Sequence, residues 1–215
     1  WDGVVIDSSA MHKKSWELLA EEEKRVLPED HFKKGFGRKN QIIIPSILKW
    51  TEDTEEIRRL SDRKEALYRK IVLQENISPL PGIRQLLNEL KEANLPRAIA
   101  SSTPRINLDA VLSSLGMEND FQAILSGDDV GAGKPDPEVF LKAASALQTP
   151  PERCLVIEDA HFGIEAAKRA GMKVLAVATT HPVDELHEAH LAIDSLESID
   201  LAALRTLFSS ELLTP

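Results

Sequence analysis

The sequence predicts an α/β fold, a parallel sheet with helices on both faces that carries an inserted all-helical unit. Three observations lead there. Residues 9–79 hold almost purely helical periodicity, short apolar runs alternate with amphipathic helices from residue 83 onward, and acids, hydroxyls and a lysine recur at the ends of those runs. Apolar strands separated by helices predict parallel pairing and burial on both faces.

The opening WDGVVIDSS places Asp2-Gly3 ahead of a short apolar run, Val4–Ile6, with no apolar lead-in. AMHKKSWELLAEEEKRV then sets Met11, Ser15, Leu18 and Leu19 on one helical side. GFGRKNQIIIPSILKW reads as a glycine-rich turn entering a helix that Pro45 kinks or interrupts. IRRLSDRKEALYRKIV repeats the helical pattern with Ile57, Leu60, Leu67 and Ile71. Pro79 and Pro81 in SPLPG stiffen the return linker. The boundaries that follow are 9–79 for the helical insertion and 1–8 with 80–215 for the α/β core.

In the core, IRQLLNELKEAN is an amphipathic helix and RAIAS a buried strand. TPRINLDAVLSSLG is a helix with Pro104 in its first turn and Gly116 at its stop. QAILS is a strand, and DPEVFLKAASAL a helix with Asp136 as N-cap and Pro137 after it. CLVIE is a strand, GIEAAKRAG a helix ending at Gly171, and KVLAVA a further strand.

Bulk properties exclude several functions. A net charge of −9 argues against sequence-independent nucleic-acid binding, which needs a basic face. It leaves small anionic substrates open, because a metal and a few cations reverse the field inside one pocket. No apolar stretch approaches the roughly 20 residues that span a bilayer, and the first residues lack the basic start and apolar stretch of a secretory signal. Cys154 is the only cysteine, so no internal disulfide forms, which suits a reducing, cytoplasmic setting.

Ligands of open α/β sheets bind at the carboxyl ends of strands. In order, those ends carry Asp2, then Ser101-Ser102-Thr103, then Lys134 in GAGKPDP, then Glu158-Asp159. Each has a plain structural role available. Asp-Gly is a common turn, Ser102 or Thr103 would cap a helix, Lys134 could be a solvated charge, and acids suit a helix N-terminus. Their joint order along one chain is what points to a site.

With those motifs in hand, the sequence resembles the haloacid dehalogenase superfamily, in the branch of phosphoglycolate phosphatases and β-phosphoglucomutase. WDGVVIDS is similar to the end of the family's Asp-x-Asp-Gly-Val motif, IASST to its second, GKPDPEVF to its third and VIEDAHFGIEAAKRAGM to its fourth. Residues 9–79 sit where this branch inserts its cap on a Rossmann-like core. The resemblance makes Asp2 the second aspartate, the general acid/base. It puts the nucleophile at the position immediately before Trp1, and the central strand before that. The sequence is therefore expected to continue upstream; the competing reading is a protein that has lost its catalytic acid.

The implied chemistry is phosphate-ester hydrolysis through an aspartyl-phosphate with Mg²⁺ as cofactor. The resemblance gives the metal the Asp2 carbonyl and Asp159, with Glu158 beside or behind it. Lys134 would offset charge, and Ser101 would hold phosphoryl oxygens with the amides around Ser102. Thr103 and Arg105 join the substrate-binding set, as do the cap residues His12, Arg38 and Lys64, whose plain reading is solvated helix or loop. Gly37 before Arg38, where mutases tend to have serine, and Pro104-Arg105 in place of Lys-Asn favour a phosphatase over a mutase. The expected substrate is a small phosphorylated metabolite, in particular a sugar phosphate, handled by a monomer with a dimer left open. The alternatives are a sugar phosphomutase and a non-catalytic phospho-ligand binder. A receiver domain shares the acids and lysine but lacks the 9–79 insertion.

Overall fold

The computed structural model describes residues 1–35, 38–75 and 77–209. Phe36 and Gly37, half of the expected glycine-rich turn, lie outside the described residues. The helical segment comprises α1 (Ser9–Glu22), α2 (His31–Gly35), α3 (Asn40–Ile42) and α4 (Thr54–Gln74). Pro45 interrupts as expected: after α3 the chain widens into a π-helical turn, Ile43–Leu48. Proline has no N–H to donate and its ring clashes with the preceding turn, which a wider turn accommodates. Trp16, Leu19, Ile44, Leu48, Leu60 and Leu67 form an apolar cluster drawn entirely from this segment. Each such side chain is worth about 1.5–3 kcal/mol of burial. Met11, Tyr68, Ile71 and Val72 face the other way and join the main core. The two chain crossings run side by side, with the Leu80 amide donating to the Val5 carbonyl at 2.8 Å.

The remainder alternates as the sequence predicts: α5 (Ile83–Glu92), β1 (Ala98–Ala100), α6 (Arg105–Leu115), β2 (Ala123–Leu125), α7 (Glu138–Ala146), β3 (Leu155–Glu158), α8 (His161–Arg169) and β4 (Lys173–Val177). Two elements had no counterpart in the sequence reading, β5 (Leu191–Ile193) and α9 (Leu201–Ser209). Asp136 does bond to the start of α7, accepting from the Glu138 amide at 3.0 Å, but Pro137 occupies the N-cap position.

Among the described residues every strand pair is parallel, yet the strands do not form one continuous sheet. β1 pairs with β2, and β3, β4 and β5 form a separate ladder in that order. Between the two lies an apolar cavity of about 990 Å³, lined among others by Ile99, Val156, Leu86, Val5 and Leu204. Trp1–Ile6 do not extend as a strand. They fold into a tight turn in which the Trp1 carbonyl accepts from the Val4 and Val5 amides, at 3.2 and 2.8 Å. Among the described residues no helix is long and apolar enough to cross a membrane.

Candidate active site

A cavity of about 810 Å³ lies between the helical segment and the carboxyl ends of β1 and β3. Its lining includes Asp2, Ser101, Ser102, Thr103, Lys134, Glu158 and Asp159 from the core and His12, Arg38 and Lys64 from the helical segment. Residues up to 157 positions apart in the sequence thus face one space, because parallel strands send all their carboxyl ends the same way.

Local packing explains the glycines around the acids. Gly3 adopts φ +72°, and a Cβ there would fall 1.9 Å from Asp159 Oδ2. Only glycine lets the Asp2-Gly3 backbone press against that carboxylate. Gly163 in the first turn of α8 does the same for Glu158, whose carboxyl carbon would meet a Cβ at 2.1 Å. Gly163→Ala is therefore expected to cost about 1–3 kcal/mol by overpacking, read as a lowered melting temperature together with reduced turnover. Parental values of both would move Glu158 out of that contact.

Both oxygens of Glu158 are engaged. Lys134 Nζ donates to Oε1, and the amides of Asp159 and Ala160 donate to Oε2 at 3.1 and 3.4 Å. Burial raises the Glu158 carboxyl, but the Lys134 charge and these hydrogen bonds prevail and hold it below its ordinary range. Lys134 also lies over the Phe140 ring, 4.8 Å from its centroid. The neighbouring acid behaves oppositely. Burial and then the Glu158 charge push Asp159 up to about 6, against a hydrogen bond from the Thr180 hydroxyl. Lys134 is committed to one carboxylate of the pair, so the second remains an oxygen donor facing the Asp2-Gly3 backbone. That set of hard oxygens, two carboxylates and a backbone segment, fits Mg²⁺ and offers no soft donor.

Asp2 is held by two hydroxyls. Ser8 donates to Oδ1 at 2.5 Å and Thr103 to Oδ2 at 2.7 Å. Ser8 precedes α1 yet makes no capping bond, its hydroxyl being spent on Asp2. Burial raises the Asp2 carboxyl, and the hydrogen bonds from Ser8 and Thr103 oppose it. Thr103, expected in the substrate-binding set, lines the cavity with its hydroxyl bonded to Asp2. Ser101 sits at the end of β1, its Oγ accepting from the Thr103 amide at 3.0 Å.

Behind Asp2 runs a buried relay. His12 stacks on Tyr68 with ring centroids 4.1 Å apart, and its Nε2 is 4.0 Å from Asp2 Oδ1. Its Nδ1 is 2.7 Å from Lys64 Nζ, which also donates to Glu65 Oε1 at 2.9 Å. Burial and then the Lys64 charge pull His12 down to about 4, so it is a neutral imidazole at neutral pH and accepts from the ammonium. Glu65 in turn accepts from Asn40 at 2.7 Å and from Asn107 on α6. His12 and Lys64 are thus not solvated helix residues; Lys64 is 3% exposed.

Arg38 is exposed and lies over the Phe162 ring, 5.4 Å from its centroid, joining the helical segment to α8 across the cavity mouth. Its neighbour Lys39, unremarked in the sequence, reaches the core by donating to the Gly127 carbonyl at 3.3 Å. Arg105 is the misplaced candidate. It is absent from the cavity lining and pairs with Asp109 at 2.8 Å along the exposed side of α6. A helix that starts at Arg105 turns that side chain away from the Ser101–Pro104 loop, which itself faces the cavity.

Comparison with known proteins bears on this geometry. The family model for haloacid dehalogenase-like hydrolases matches residues 1–171. The chain is 35% identical over 215 residues to a chloroplastic 5-amino-6-(5-phospho-D-ribitylamino)uracil phosphatase of Arabidopsis thaliana, covering 99% of this chain and 57% of that protein. It is 34% identical over 192 residues to β-phosphoglucomutase of Bacillus subtilis, covering 85% of this chain and 82% of that one. A crystal structure of β-phosphoglucomutase from Clostridium difficile superposes with a TM-score of 0.87 at 26% identity, covering 99% and 96% of the two chains. The chain therefore spans little more than half of the first of these relatives and most of the others. With four motifs converging on one cavity and a family match over residues 1–171, the chain belongs to the haloacid dehalogenase-like hydrolases.

Proposed function

We propose that this chain is the phosphoryl-transfer unit of a Mg²⁺-dependent phosphatase acting on a small phosphorylated metabolite, in particular a sugar phosphate. The observation that carries the reading is Asp159 pressed against the Asp2-Gly3 backbone, with the Lys134–Glu158 pair beside it. Asp159, the Asp2 carbonyl and, behind them, Glu158 would hold the metal, which neutralises phosphate oxygens and aligns the ester. The nucleophile in this proposal is a carboxylate at the position preceding Trp1, on a strand seated between β1 and β3. The gap between the two ladders and its apolar lining of about 990 Å³ support that placement. That carboxylate attacks phosphorus, the ester oxygen leaves with a proton from Asp2, and Asp2 then takes a proton from the water that releases phosphate. Lys134 offsets charge on nucleophile and phosphoryl group, and Ser101 with the amides around Ser102 receives phosphoryl oxygens.

Residues 9–79 are, in the same proposal, the cap that selects substrate. Their own apolar cluster and the paired crossings at Val5 and Leu80 support a unit that moves as a piece. His31 Nε2 and Ser61 Oγ belong to cavity-lining residues of this segment and are buried without a protein partner, which suits a ligand rich in hydroxyls.

A phosphomutase is the second reading, since the same residues serve both. Arg105, tied to Asp109 away from the cavity, favours hydrolysis, because mutases of this branch place Lys-Asn at Pro104-Arg105. Incubating the full-length protein with Mg²⁺, a sugar 1-phosphate and a trace of the corresponding bisphosphate separates them. Inorganic phosphate is the expected product. Isomerised sugar phosphate without free phosphate would make the protein a mutase, and no turnover of any phosphorylated sugar would remove the assignment.

A further inference from the structure

A second cluster of metal-ligating side chains lies apart from the oxygen donors of the cavity. His161 opens α8, His181 follows Thr180 in the loop after β4, and Glu185 ends the single helical turn Val183–Glu185. None of the three appears in the cavity lining. Each offers one ligand atom, and these atoms lie within 4.8 Å of one another. The two imidazole rings are 4.6 Å apart, inclined at 55°, and His181 Nδ1 is 3.6 Å from Glu185 Oε2.

We propose that His161, His181 and Glu185 form a zinc-class transition-metal site, chemically distinct from the Mg²⁺ site. Zinc holds nitrogen and oxygen donors at about 2.0–2.2 Å in a tetrahedron, so its ligand atoms sit about 3.3–3.6 Å from one another. The His181–Glu185 pair already has that spacing. The remaining closure is about 1 Å, within reach of partly exposed side chains; His181 is 33% exposed and Glu185 58%. Two imidazoles and a carboxylate suit zinc, copper or nickel and are a poor set for magnesium, whereas the cavity offers oxygen alone. Three protein ligands leave a fourth position for water.

The location gives the site a consequence. His161 is two residues beyond Asp159, and His181 is next to Thr180, whose hydroxyl holds Asp159. A metal bridging the histidines would fasten the start of α8 to the loop after β4, the two segments that position Asp159. The alternative is a surface His–Glu pair with a second ring beside it that binds no metal.

The test is calorimetric titration of Zn²⁺ into the full-length protein in a large excess of Mg²⁺, which keeps the oxygen site occupied. The expected result is one zinc per chain, with affinity reduced at least about tenfold in His161→Ala, His181→Ala and Glu185→Gln, as loss of a ligand requires. Thermal melts of each variant without zinc confirm folding, and the parent alone should gain melting temperature on adding zinc. Absence of uptake by the parent would overturn the site. Unchanged uptake in His181→Ala and Glu185→Gln would do the same, by locating the metal elsewhere.

Discussion

Asp159→Asn in the full-length protein is expected to fold normally and to release phosphate about a hundredfold more slowly, or worse, at sub-millimolar Mg²⁺. Losing a group that merely supports a metal ligand costs about 10–100-fold, and Asp159 is proposed as a ligand itself. The substitution keeps the oxygen that accepts from Thr180 and nearly the same volume, so packing is preserved. It also removes one of two adjacent buried carboxylates, the one that burial and then the Glu158 charge push up to about 6. In EDTA the variant should therefore melt no lower than the parent. On adding Mg²⁺ the parent should gain melting temperature and the variant should gain little. Raising Mg²⁺ should recover part of the rate. Full activity of the variant at micromolar Mg²⁺ would remove Asp159 from the site.

The order of helices and strands was legible because each element carries its own period. Ile57, Leu60, Leu67 and Ile71 are all buried on α4, as their spacing requires. The β5 strand was not legible: Leu191–Ile193 is as short as β1 and β2, but no amphipathic helix separates it from β4, so the alternation that marked the other strands is missing. The division into two ladders was not legible in the strands themselves. Each reads as apolar on its own, and nothing in RAIAS or CLVIE says which neighbour it lacks; only the resemblance, which puts a central strand before Trp1, pointed to one.

The site was legible where chemistry sits at a strand end and illegible where it depends on a contact across the fold. Asp2, Ser101, Lys134, Glu158 and Asp159 all reach the cavity. Their holders escaped notice: Ser8 and Thr180 read as ordinary loop residues, and Glu65 and Asn107 as polar helix positions. For Glu65 a signal existed. Lys64-Glu65 falls on the apolar stripe of α4, one turn before Tyr68, where a charged pair is costly unless its partners are buried with it. Arg105 failed for the converse reason, because adjacency to a motif says nothing about which side of a helix start a residue takes.

Asp2→Asn in the full-length protein separates position from proton transfer, and its effect is expected to depend on the leaving group. The carboxylate now accepts from Ser8 at 2.5 Å and from Thr103 at 2.7 Å. An amide can keep both contacts, its oxygen accepting from one hydroxyl while its NH₂ donates to the other. The His12 ring 4.0 Å away has no direct bond to lose. Backbone geometry at Gly3 and the Asp2 carbonyl are untouched, so folding and Mg²⁺-induced stabilisation should persist. The amide cannot give a proton to a departing alkoxide or take one from water. Turnover of alkyl phosphates should accordingly fall by about 10²–10⁴-fold, the usual worth of a general acid–base group. The loss should be smaller for p-nitrophenyl phosphate, whose leaving group departs without a proton, although the hydrolysis of the intermediate still lacks its base. Single-turnover measurement of p-nitrophenol release isolates the first step and should show the smallest effect of all. Equal slowing of both substrates in that first step would mean that Asp2 acts by charge or position, and no slowing of either would break the match between WDGVV and the family motif.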